Sequence, residues 1–131
     1  MKRIILTIIV LWGSLIASAQ NFNEYVTTQN NAGRYEVVMS SLQASQTFKV
    51  DKYNGDVYQL VETPKGGLVF EKLDRDTSNA IDTQIPDQVN YQFVMSGILA
   101  KCTFLVNVNT GEVWNLVHDN KQKVNWLTYL D

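Results

Sequence analysis

Two stretches of the chain alternate along their length with a period of two. Tyr35, Val37 and Met39 alternate with Glu36, Val38 and Ser40, and Tyr91, Phe93 and Met95 alternate with Gln92, Val94 and Ser96. A period of two puts successive side chains on opposite faces of an extended backbone, so both stretches predict β-strands, with the aromatic and methionine face turned to the core. In the first unit the runs 47–50 and 57–61 form the next strand pair, joined by Lys52, Tyr53, Asn54 and Gly55. Val108, Asn109, Thr110 and Gly111 are the counterpart in the second unit. A glycine closing such a short connection supplies the left-handed conformation that a type I turn with a bulge requires, and Asp51 or Asn107 can cap the turn with its side chain. A fourth strand over 68–73 follows the turn of Pro64, Lys65, Gly66 and Gly67, and 124–130 takes its place in the second unit.

The two units are copies of one another. Residues 34–62 laid over residues 90–118, a shift of 56 positions without a gap, give 12 identities in 29 positions. These are Tyr35, Val38, Met39, Ser40, Ala44, Thr47, Phe48, Val50, Gly55, Val57, Leu60 and Val61 with their equivalents. Conservative pairs such as Val37 with Phe93, Asp51 with Asn107 and Tyr58 with Trp114 fill many of the gaps between them. Unrelated β segments do not hold register through a shared turn, so the sequence predicts an internal duplication.

The fold class expected is all-β, with two duplicated antiparallel four-stranded meanders over residues 34–73 and 90–130. A polar linker of residues 74–89 joins them. A single sheet of this size has an apolar face to bury, and packing one copy on the other as a small sandwich, or closing both into a barrel, buries it. The expected shared core sets Tyr35, Val37, Met39, Phe48 and Val50 against Tyr91, Phe93, Met95, Phe104 and Val106 about a pseudo-twofold axis. The pattern of residues 20–33 leaves open an added strand, a short helix or a loose arm.

The first residues carry a different message. Lys2 and Arg3 precede the apolar run 4–16, and Ala17, Ser18 and Ala19 form the small-x-small pattern that signal peptidase accepts. The run is 13 residues long, short of the about 20 needed to span a bilayer. Residues 1–19 therefore predict a signal peptide cut between Ala19 and Gln20, leaving residues 20–131 as a single β domain, periplasmic or secreted and not membrane-spanning. No cysteine follows the run to accept a lipid anchor.

Composition narrows the function classes. Charged residues make up 18% and aromatics 11% of the chain, too apolar a balance for disorder. Removing residues 1–19 leaves nine Lys and Arg against 13 acids, so with no basic stripe present nucleic-acid binding is disfavoured. Lys121 and Lys123 form only a small positive tip. Cys102 has no cysteine partner in the chain, which points to a small buried hydrophobe rather than a disulfide or a multi-cysteine zinc site.

The segment from Thr103 to Trp114 resembles the hairpin of form F-Φ-Φ-D-x-x-T-G-x-V-W, preceded by Y-x-Φ, of uncharacterised bacterial exported or membrane-associated proteins. The resemblance covers about 25 residues per copy and implies a structural hairpin with no activity. The first copy departs from it at Asn54 and Tyr58. The segment is also superficially similar to the strand-turn-strand motif of quinoprotein-type propellers, but there the tryptophan usually falls four residues after the glycine. Trp114 is three after Gly111, which turns its ring to the opposite face of the strand. Propellers also need four or more blades, and the chain holds two repeats.

Candidate chemistry is sparse. His118 is the sole histidine and is matched by Glu62 in the first copy, so the duplication preserves no imidazole, and the expected place for it is an exposed strand end. Asp74, Asp76, Ser78 and Asp82 begin like a calcium loop, but Asn79 stands where the sharp-turn glycine belongs and Ile85 where the bidentate acid belongs. A solvated acidic linker is expected there instead. No catalytic residue, no metal and no cofactor is expected. Surplus aromatics are more suggestive: Tyr53, Tyr58, Trp114 and Trp126 are the candidate ligand-binding residues, of a kind that can stack on a glycan or a peptide. The expected function is a small exported binding or interaction module for an unknown protein or glycan. The alternative is a hydrolase acting on a carbohydrate or peptide, with carboxylates that converge only in the fold.

Overall fold

The computed structural model describes residues 33–40, 46–95, 102–120 and 124–130. The expected signal peptide and its cut, residues 20–32, and Lys121 and Lys123 lie outside the described residues. The described chain is all-β, in two sheets. The first holds β1 (Tyr35–Met39), β2 (Thr47–Asp51), β3 (Asp56–Glu62) and β4 (Leu68–Lys72), antiparallel and in chain order. The second holds β5 (Asp74–Arg75), β6 (Tyr91–Met95), β7 (Thr103–Asn107), β8 (Val113–Asp119) and β9 (Val124–Leu130), in the order β5-β9-β8-β7-β6. The sheets form a small sandwich and do not close into a barrel, which decides between the two architectures left open by the sequence.

Register repeats with the sequence. Tyr35 pairs with Asp51 and Met39 with Thr47, while Tyr91 pairs with Asn107 and Met95 with Thr103. Val50 pairs with Val57 and Val106 with Val113. The two turns are also built alike. Gly55 donates to Asp51 O and Gly111 to Asn107 O, both at 2.8 Å, and the glycines have φ of 75° and 79°. A Cβ resists that left-handed conformation, which is why glycine stands at both positions. The Asp51 carboxylate caps Tyr53 N at 3.0 Å and the Asn107 amide oxygen caps Asn109 N at 2.9 Å, as the sequence predicts.

The buried faces do not repeat. In the second sheet Tyr91, Phe93, Met95, Leu105, Trp114, Leu116 and Leu127 are core. In the first the core side chains are Val38, Phe48, Val50 and Val57, which belong to the opposite face of the repeat. Tyr35, Val37 and Met39 therefore point outward, and Phe104 and Val106 lie half-buried on the outside of the second sheet. The expected core was wrong at these five positions. Pairing explains it: Val38 lies opposite Phe48 and Val37 opposite Lys49, and directly opposed residues of an antiparallel pair share a face. Once Phe48 is inside, Val37 is outside. A twofold axis would bury the same face of both copies, so the pseudo-twofold relation is excluded; the first copy lays one face on the other face of the second.

The linker is only partly a solvated loop. β5 forms at its start and pairs parallel to β9, Asp74 opposite Trp126 and Arg75 opposite Leu127, making the second sheet five-stranded and mixed. Leu73 N–H still donates to Val57 O in the first sheet, at 2.8 Å, while Asp76 N–H donates to Leu127 O in the second, at 2.9 Å. One run of chain thus leaves one sheet and joins the edge of the other, the usual way a sandwich makes a corner. Cys102 is half-buried rather than buried.

Candidate functional site

The four aromatics singled out from the sequence do not meet. Trp114 is fully buried, packed beside Tyr91 and Tyr129 with centroids 6.2 and 5.7 Å away, and its indole N–H donates to Asp76 O at 2.6 Å. Tyr53 sits in the β2–β3 turn beneath the Arg34 guanidinium, 5.3 Å from its ring centroid. Tyr58 lies on the outer face of the first sheet under Lys49 Nζ, at 4.5 Å. Trp126 lies on the outer face of the second sheet, its indole N–H donating to Thr128 Oγ1 at 2.8 Å. Two of the rings thus face away from each other across the whole sandwich.

The densest polar cluster fastens the linker over the core. Arg75 stacks between Tyr91 and Trp114, 5.1 and 4.8 Å from their centroids. Its guanidinium pairs with Asp82 at 3.1 Å and donates to Asn54 O at 3.2 Å. The Tyr91 hydroxyl donates to Asp82 as well, and burial, helped by that hydrogen bond, pushes the Tyr91 phenol above its ordinary pKa. Glu112 accepts from Ile81 N and Asp82 N, at 2.5 and 2.9 Å, and from Thr110 Oγ1 at 2.7 Å. The Thr110 bond and then the two backbone donors hold its carboxyl below the usual range, against some burial.

Other acids are likewise committed. Asp51 accepts a bidentate grip from Arg34, its closest contact 2.7 Å, and Asp56 pairs with Lys72 at 2.8 Å. Asp76 accepts from Ser78 N at 3.0 Å and Ser78 Oγ at 2.7 Å, which lowers its pKa. Among the described residues no group of three or more His, Cys, Asp or Glu side chains is placed to hold a metal ion. His118 is exposed at its strand end, as the sequence predicts, with Nδ1 2.6 Å from Asn125 Oδ1.

Two outer faces remain, and both set apolar side chains among polar ones, Lys49, Asp56 and Lys72 on the first sheet and Gln92, Asn115 and Thr128 on the second. On the first sheet Tyr35, Val37 and Met39 of β1 are each more than half exposed, at 55%, 58% and 52%. Register places Tyr58, Leu60, Phe70 and Leu68 on the same face, where Lys49 lies over both the Tyr58 and Phe70 rings. On the second sheet the outer face carries Val94, Phe104, Val106, Val113, Val117 and Trp126, all exposed or half-buried. Sequence reasoning placed Tyr35, Val37 and Met39 in the core. The signal that could have located them is the Lys49 and Asp51 pattern of β2, which marks that face of the first copy as the more polar one. No protein-family model, no curated protein and no solved structure matches the chain.

Proposed function

We propose that the protein is a small exported β-protein that works as a non-catalytic interaction module in the bacterial envelope or medium, and that its outer sheet faces are the binding surfaces. The observation that carries this reading is the exposed row of Tyr35, Val37 and Met39 on the edge strand β1, with Leu68 exposed on the same face at the opposite edge. Monomeric soluble proteins rarely expose contiguous apolar patches larger than a few hundred Å², and such patches mark surfaces that meet a partner. The sheet beneath is fixed by four paired strands, so the surface is preformed rather than flexible. Exposed apolar side chains of this kind suit a protein surface, since an oligosaccharide needs polar groups converging beside its stacking rings.

The test is a photoreactive side chain at position 37 of the exported chain, with position 71 as control because Glu71 is exposed on the other face of the same sheet. Covalent adducts to a protein from position 37 and none from position 71 are expected. Absence of adducts at both positions overturns the reading.

A further inference from the structure

We infer that the partner of the exposed face of the first sheet is the outer face of the second sheet of another copy of this chain, so that copies add head to tail. This rests on the interaction-module reading and names its partner. The chain already contains one such interface. Inside the molecule, the face of the first copy that carries Val38, Phe48, Val50 and Val57 packs on the face of the second copy that carries Tyr91, Phe93 and Met95. The two faces left outside are the repeat equivalents of these. Val94, Phe104, Val106 and Val113 of the second copy correspond to Val38, Phe48, Val50 and Val57, and Tyr35, Val37 and Met39 of the first correspond to Tyr91, Phe93 and Met95. Each molecule thus presents one half of the interface at one end and the matching half at the other.

Several individual contacts have counterparts between copies, with Lys49 and Tyr58 of the exposed face standing where the second copy has the buried Leu105 and Trp114. Phe48 meets Phe93 with ring centroids 5.3 Å apart; the equivalent pair between copies is Phe104 of one and Val37 of the next. Gly55 makes room for the Tyr91 ring, since a Cβ there would come within 2.9 Å of it, whereas nothing lies within 4 Å of the same position on Gly111. Gly111 keeps the same φ, and its open side is where Tyr35 of the next copy fits. Lys52 O accepts from Asn90 N at 2.8 Å and from Tyr91 N at 2.9 Å; Val108 O stands in the equivalent place for Arg34 N and Tyr35 N of the next copy. Tyr35 and Val108 are both about half exposed, at 55% and 50%, while Tyr91 and Lys52, which already have this interface, are buried. An interface made of two different patches is heterologous, so it propagates until a ring closes or a filament grows.

The test uses the mature chain in solution, with its mass read by light scattering on a sizing column. The unsubstituted chain is expected to run as an assembly of several copies. Val37→Asp destroys one half of the interface and Val94→Asp the other; both side chains are exposed, so circular dichroism should be unchanged. Each variant alone is expected to be monomeric. An equimolar mixture should give a dimer and nothing larger, because one intact pair of faces remains. An unsubstituted chain that is monomeric overturns the inference, whether residues 20–32 or a foreign protein covers the face. If position 37 still crosslinks to a protein of another mass, the interaction-module reading survives that failure. A Val94→Asp variant that assembles as before overturns it too, since that is the signature of a twofold dimer through the first sheet alone. In mixed isotope-labelled chains, a photoreactive group at position 35 should capture the peptide containing Gly111 of a different copy; capture only within one chain rules the arrangement out.

Discussion

Phe48 and Phe93 meet across the sandwich with ring centroids 5.3 Å apart and an interplanar angle of 52°, yet they occupy non-equivalent positions of the repeat. The equivalent of Phe48 is Phe104 and that of Phe93 is Val37, and both of these lie on outer faces. A tilted aromatic pair of this kind adds roughly 0.5–1.5 kcal/mol to the area it buries.

Phe93→Ala should therefore cost about 3–5 kcal/mol and unfold both sheets in one transition, because the cavity opens in the layer they share. Phe104→Ala, in a half-buried site on the outer face, should cost about 1 kcal/mol in dilute solution. Urea melts followed by tryptophan fluorescence compare the two; equal losses would mean that Phe104 is part of the core after all.

Gly55→Ala should destabilise more than Gly111→Ala, although both glycines hold the same left-handed φ. Each substitution carries roughly 1–2 kcal/mol for placing a Cβ in that conformation. Only the one at Gly55 also drives a Cβ to 2.9 Å from the Tyr91 ring and 3.0 Å from Arg75 Nη1. Melting a dilute sample of each variant should show the difference.

Arg75→Met should cost about 3 kcal/mol, because it leaves Asp82, whose side chain is 17% exposed, without its cation. Adding Asp82→Asn should return part of the loss. A double-mutant cycle in urea measures that coupling, and strict additivity would show that Arg75 acts through its stacking on Tyr91 and Trp114 alone.

Acid should weaken the fold through Asp51. Burial pushes this carboxyl up, but the Arg34 grip and the backbone donors of Tyr53 and Asn54 outweigh it, so its folded pKa lies below the ordinary value. A carboxyl lowered on folding contributes stability that is full above the unfolded pKa of about 3.9 and is lost as pH falls through the lower folded value. Urea midpoints taken from neutral pH down to about pH 2 should fall less steeply in that window for Asp51→Asn than for the unsubstituted chain.

The proposed export makes a prediction of its own. Intact mass of material from the cell envelope or medium should correspond to a chain beginning at Gln20, with or without cyclisation to pyroglutamate. A chain retaining Met1 in the membrane pellet would contradict cleavage after Ala19.

Strands, turns and duplication were legible in the sequence because each rests on local or repeated information. A period of two makes a strand, a glycine in a left-handed turn ends a hairpin, and a shift of 56 residues carries both into the second copy. Which face each copy buries was marked in the sequence only by the polar Lys49 and Asp51 of β2, and the apolar pattern left it open for a physical reason. Both faces of the meander hold apolar side chains: Val37 and Val38 are neighbours in β1, and Phe104 and Leu105 in β7, so alternation alone assigns neither inside. The choice was made by cross-strand pairing with Phe48 and by the packing of two unlike faces, which only the tertiary structure contains. The same holds for the candidate surface. Tyr58 and Trp126 could be picked out by residue type, whereas the exposed row of Tyr35, Val37 and Met39 exists only because the first copy turned its other face to the second.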